Sequence, residues 1–206
     1  MKAHSKRIDS EARRRQLLRV SMDLFSKHGF SGTKTRDIAA AAEVSEAILF
    51  RHFSSKEDLY QAILATQEHE GAQQWFEEMR AFADRRDDAG FFRCLILQIF
   101  KSFKTEPTFH RMMMYASLEG HVLADLFHDR WGSKTFRFLR AYIARRQKEG
   151  AFRAGDPSAD VFFVVAAPVL AATNKYLHGV KLISIRDERL ADKFTDLVLH
   201  GLRKRP

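Results

Sequence analysis

Apolar residues recur at helical spacing along nearly the whole chain, and the two-residue alternation of a half-buried strand is almost absent. That pattern restricts the fold to the all-α class. The 4 prolines and 10 glycines fall mainly where helices should stop. A first helix is expected from Ser10 to about His28, with Leu17, Val20, Leu24 and Phe25 inward and Gly29 ending it in a left-handed conformation. A short helix capped by Thr33 follows in "KTRDIAAAA", turning Ile38, Ala39 and Ala42 inward. "AEVS" reads as a tight turn, and a third short helix runs from Glu46 to about His52.

"SSKED" reads as a helix start, because Ser54 with Glu57, or Ser55 with Asp58, forms a capping-box pattern. The helix it opens carries Leu59, Ile63, Trp75, Phe76 and Met79, with Gly71 bending or breaking it. Further helices are expected over about 89–105, 107–118, 120–149, 157–178 and 187–203, where Asp156-Pro157 pairs an N-cap with proline at the first helical position. The most apolar run, "VFFVVAAPVLAA" from Val161 to Ala172, is 12 residues long. A membrane span needs about 20, so it reads as a buried helix and no membrane partner is expected. The first residues, "MKAHSKRIDSEARRRQ", are charged where a signal peptide would be apolar. A single cysteine, Cys94, excludes an internal disulfide framework, fits a reducing, cytoplasmic setting and reads as a buried thiol.

The formal charge of +9 is compatible with a polyanionic partner, and its distribution is uneven. Residues 1–56 hold 12 Lys/Arg against 6 Asp/Glu, so +6 of the +9 lies in about a quarter of the chain. Two short helices joined by a turn of about four residues and preceded by a packing helix make a helix-turn-helix arrangement. In the second short helix Leu49 and Phe53 share one face and can pack on Val44, Ile38 and Phe25. That leaves Glu46, Ala47, Ile48, Phe50, Arg51 and His52 outward, and an apolar pair in a basic setting suits a surface that meets bases and sugars in a groove. Lys56 lies in the first turn of the next helix, where an anion is favoured, and beside His52 it makes a phosphate clamp.

Residues 13–64 resemble the DNA-binding domain of the TetR family of bacterial transcriptional regulators. The resemblance rests on Gly29-Phe30, Ile38-Ala39, Val44-Ser45, Leu49-Phe50-Arg51-His52-Phe53 and Lys56 within "LFSKHGFSGTKTRDIAAAAEVSEAILFRHFSSKEDLY". It implies a helix-turn-helix domain over 1–56 and a helical effector-binding and dimerisation domain over 57–206. Thr33, Lys34 and Arg36 match family positions that contact phosphates or bases at the start of the second helix. Glu46, Ala47 and Ile48 match the base-facing start of the recognition helix, and Phe50, His52 and Lys56 match backbone-contacting positions, with Arg51 beside them. Phe50 stands where the family usually has tyrosine, Glu43 where it has a turn glycine, and Ile48 where threonine or serine is common. Plainer readings stand beside these: an ion pair within its own helix for Arg36, helix-start stabilisation for Glu46, and a solvated tail for Lys2, Lys6 and Arg7.

The resemblance also implies a homodimer, a double-stranded DNA operator and a small-molecule effector. Phe162, Val165, Val169, Leu190, Phe194 and Leu197 recur at helical spacing in the last two helices and are the candidate dimer contacts. Phe100, Phe103, Met113, Tyr115, Trp131 and Phe136 are bulky, soft side chains suited to an apolar or aromatic effector, though plain core is the commoner role for such residues. His121, Asp125 and His128 have metal-ligand spacing on one helical face, yet a polar face with local pairs is the favoured reading. No metal or other cofactor is expected. No Gly-rich phosphate loop, nucleophile elbow or acid–base pair supports an enzyme. The expected function is a ligand-responsive repressor on a near-palindromic operator; the alternatives are an activator or co-regulator, or an all-helical small-molecule-binding protein or enzyme.

Overall fold

The computed structural model describes residues 9–69, 72–120, 133–180 and 184–203. Every element there is helical apart from one isolated antiparallel bridge between Phe152 and Arg203. The chain forms two compact units, Met1–Glu68 with Thr108–Leu126, and His69–Pro107 with Phe127–Pro206.

The first unit contains α1 (Ser10–Gly32), α2 (Thr35–Ala41), α3 (Glu46–His52), α4 (Lys56–His69) and α7 (Pro107–Leu118). α1 kinks at Gly29, where φ of 70° and ψ of 177° interrupt the helix one residue after the expected end. Its buried face is Leu17, Leu18, Ser21, Phe25 and Ser26, whereas Val20 and Leu24 are only half-buried. Ser21 donates to the Leu17 carbonyl, which makes a hydroxyl tolerable there. Ile38, Ala39 and Ala42 turn inward as their spacing requires. α4 opens with Ser55 accepting from the Asp58 amide at 3.0 Å, while the Asp58 carboxylate accepts from the Ser54 amide at 2.9 Å. Phe25, Phe30 and Tyr60 form an aromatic cluster with ring separations of 5.4–5.6 Å. Leu59, Tyr60 and Ile63 of α4 are fully buried, and the Tyr60 hydroxyl reaches the Met113 sulfur of α7 at 3.7 Å. The boundary expected between residues 56 and 57 therefore falls inside this unit, because α4 supplies part of its core.

The second unit contains α5 (Ala72–Asp84), α6 (Asp88–Thr105), α8 (Ser133–Lys148), α9 (Pro157–Ala172) and α10 (Asp187–Leu202). α6 packs against α5, α9 and α10, and α9 also packs on α8. Phe91, Phe92, Leu95, Tyr142, Ile143 and Phe152 fill one cluster, and Ile96, Phe100, Phe103, Leu190 and Ala191 fill a second. Arg146 grips Asp88 through two bonds of 2.8 and 2.9 Å, and the Tyr142 hydroxyl donates to the same carboxylate at 2.5 Å. Asp156 accepts from the Ser158 amide with Pro157 in the first turn, as the sequence requires. After Ala172 the helix widens into a π turn, Thr173–Leu177.

One expectation is corrected here. The apolar run in α9 is not a buried helix throughout: Val161, Val164, Pro168, Ala171 and Ala172 are buried, but Phe162, Phe163 and Leu170 are 73%, 63% and 62% exposed. The run is apolar all round, and only one face of it meets the rest of this unit. By length and composition alone Pro157–Leu177 could cross a membrane.

Candidate nucleic-acid interface

The turn between α2 and α3 is fixed by its own backbone. The Val44 amide donates to the Ala39 carbonyl at 3.0 Å, and Glu43 takes up a left-handed φ of 54° where glycine would be unstrained. Gln16 of α1 donates to the Ala42 carbonyl at 3.2 Å and pins the turn to the packing helix. Ser45 caps α3 by accepting from the Ile48 amide. Leu49 and Phe53 are each 2% exposed, and the Arg14 guanidinium lies 4.9 Å from the Phe53 ring centre.

With Leu49 and Phe53 anchored, the opposite side of α3 is presented to solvent. Glu46, Ala47, Phe50 and Arg51 are exposed, Ile48 is half-buried, and Lys34 and Arg36 are exposed at the start of α2. Phe50 is 47% exposed, and nothing on its ring replaces a tyrosine hydroxyl. Arg36 lies 3.6 Å from Asp37, a solvent-exposed pair that constrains it little. Carboxylates at Asp37 and Glu46 sit in the first turns of α2 and α3, where the helix dipole favours them.

Three candidate residues are recast by the structure. Thr33 does not cap α2, whose N-cap is Lys34; its side chain is buried and donates to the Gly29 carbonyl at 2.7 Å. Lys56 donates to the Phe30 and Thr33 carbonyls at 2.9 and 3.0 Å, and its ammonium lies 4.1 Å from the Phe30 ring centre. The clamp expected of it is thus spent on tying α4 to the end of α1. His52 is half-buried, and its Nε2 is shielded from solvent with no hydrogen-bond partner among the described residues. Sequence reasoning missed one contributor altogether. Glu119, 89 residues beyond Phe30, accepts from the Phe30 amide at 3.1 Å and faces the Ser31 amide at 3.5 Å. No local pattern signals that contact.

The candidate effector residues are equally divided. Phe100 and Phe103 are core positions packed among residues of α9, α10 and the π turn. Met113 lies against the Tyr60 hydroxyl, and Tyr115 and Phe136 are exposed. Trp131 lies outside the described residues, as do Gly71, the tail Lys2, Lys6 and Arg7, and the set His121, Asp125 and His128. Of the candidate dimer contacts, Phe162 and Leu197 are exposed, Val165, Val169 and Phe194 are half-buried, and Leu190 is buried in the second cluster. Phe163 and Leu170 belong on that face and were not singled out. Cys94 is half-buried, and burial, reinforced by Glu78, pushes its thiol up, which suits an inert side chain.

Comparison with known proteins agrees with this geometry. The profile of bacterial regulatory proteins of the tetR family matches residues 17–63. The chain is 25% identical over 205 residues to the HTH-type transcriptional repressor NicS of Pseudomonas putida, covering 93% of this chain and 92% of that one. It is 36% identical to the HTH-type transcriptional regulator QacR of Staphylococcus aureus over 63 residues, 31% of this chain and 34% of that protein. Among solved structures, AibR in complex with isovaleryl coenzyme A and operator DNA superposes with a TM-score of 0.66 at 19% identity, over 90% of this chain and 97% of that one.

Proposed function

The chain belongs to the TetR family of bacterial transcriptional regulators, and we propose that it works as a cytoplasmic homodimeric repressor released from a near-palindromic operator by a small apolar or aromatic effector. The observation that carries the reading is the anchored recognition helix. Leu49 and Phe53 lock α3 onto the unit, so that Glu46, Ala47, Ile48, Phe50 and Arg51 face outward as one rigid surface. Lys34 and Arg36 flank it and supply charge toward phosphate, while α3 itself fits the major groove. Glu46 has the chemistry to accept from a cytosine amino group, and Arg51 to contact phosphate.

Dimerisation supports two-site recognition. Phe162, Phe163, Ala166, Ala167 and Leu170 form one exposed face of α9, and Leu197 with Gly201 adds exposed small and apolar surface on α10. Pairing two copies through these helices gives a four-helix bundle that carries two readers, set about 34 Å apart when both occupy one face of DNA. The bulky interior of the second unit is the source of the effector reading, as is the isovaleryl coenzyme A bound by AibR.

Selection of bound sequences from a random DNA pool, followed by titration of the winner against salt, tests the proposal. Enrichment of a palindrome with affinity falling steeply with salt is the expected outcome. Uniform, sequence-independent binding would overturn it.

A further inference from the structure

Five polar contacts converge on residues 29–33, the joint between the kink of α1 and the start of α2. The Gly29 carbonyl accepts from the Thr33 hydroxyl, and the Phe30 and Thr33 carbonyls accept from Lys56. The Phe30 and Ser31 amides point at Glu119 from the end of α7. The positive φ of Gly29 is what brings two successive N–H groups to one side, a small cradle for an anion. The carboxylate lies hard against the glycine: a Cβ built there would stand 2.1 Å from Glu119 Oε1. Burial, with the nearby Glu119 charge adding to it, holds the Tyr60 phenol above its usual range, in keeping with a carboxylate at this joint.

We propose that Glu119 is a positioning residue for DNA binding, a latch whose carboxylate holds the joint of α1 and α2 in the geometry that presents α3. This deepens the repressor reading and rests on it. Lys56 is local to the reader, but Glu119 is not. It ends α7, which follows α6 of the second unit after a single connecting residue, Glu106. A shift of α7 withdraws the carboxylate from the Phe30 and Ser31 amides and loosens the joint on which α2, and through it α3, is mounted. Glu119 itself touches no DNA in this scheme, so it changes affinity without changing the number of phosphate contacts.

The test uses full-length protein and the operator selected by the wild type, with Glu119→Ala and Glu119→Gln compared for operator affinity, salt slope, thermal midpoint and amide exchange at Phe30 and Ser31. The expected result is a loss of about tenfold in affinity for Glu119→Ala, the equivalent of one charge-assisted hydrogen bond. Faster exchange of the two amides, an unchanged salt slope and a thermal midpoint within a few degrees of wild type accompany it. Glu119→Gln, which keeps an acceptor oxygen at the same reach, recovers part of the affinity and of the protection. Affinity of both variants within twofold of wild type overturns the latch, as does a loss fully accounted for by unfolded protein. A wild type that selects no operator overturns the repressor reading instead, and the amide exchange then still reports whether Glu119 holds the joint.

Discussion

Glu43 occupies a left-handed position in the tight turn before α3. An L side chain pays about 1–2 kcal/mol for that conformation, whereas glycine adds only about 0.4–1 kcal/mol of unfolded-state freedom. Glu43→Gly is therefore expected to stabilise the protein by about 0.5–1 kcal/mol, read from the denaturant midpoint; a lower midpoint would mean the side chain compensates its own strain. Lys56→Met keeps the aliphatic stem and removes the donor shared by Phe30 and Thr33. It should cost about 1–2 kcal/mol of stability and leave the salt slope of operator binding unchanged. A slope shallower by about one would return Lys56 to a phosphate. Tyr142 gives a pH signature. Burial, the bond it donates to Asp88 and that carboxylate's charge hold its phenol well above the ordinary range, outweighing Arg146 and Arg145. The unfolded chain ionises first, so this stability is complete below about pH 10 and is lost as pH rises beyond it, by about 1.4 kcal/mol per unit. Tyr142→Phe should flatten that alkaline decline in denaturation curves; an identical decline would locate the sensitivity elsewhere.

At the scale of elements, the composition and surroundings of α9 disagree. Pro168 sits within it, buried, and removes one helical donor, and the helix then widens into the π turn. Its inner residues are satisfied by α6, α8 and α10, yet Phe162, Phe163 and Leu170 remain outside. Phe163→Glu places a charge in the middle of that face. Sedimentation should report a monomer for this variant, folded by circular dichroism and with operator affinity reduced at least tenfold, since each half-site then binds alone. A dimer of wild-type strength would move the interface off α9. α3 behaves oppositely: its seven residues, Glu46–His52, are too few to be stable alone, and its position depends on Leu49, Phe53 and the Ser45 cap.

For the molecule as a whole, what could be read in advance was what is encoded locally. Gly29, the Ser45 cap, the Ser55–Asp58 start and the Leu49/Phe53 spacing each act within a few residues, and together they predicted the reader almost element by element. Contacts across long loops were illegible. Nothing in the sequence shows that the Lys56 ammonium turns back to carbonyls 26 and 23 residues earlier, or that Glu119 crosses 89 residues to an amide. Aromatic content announced a greasy interior in the second unit without distinguishing buried Phe100 from exposed Phe136, because burial depends on which neighbours the topology supplies. The outward phenylalanines of α9 carry a consequence for gene control. If two copies must meet before either reads DNA, then at low expression the number of assembled regulators grows with the square of copy number. Silencing would then switch on over a narrow range of protein abundance, and a newly divided cell inheriting few copies would pass through a brief window of open transcription before the threshold is regained.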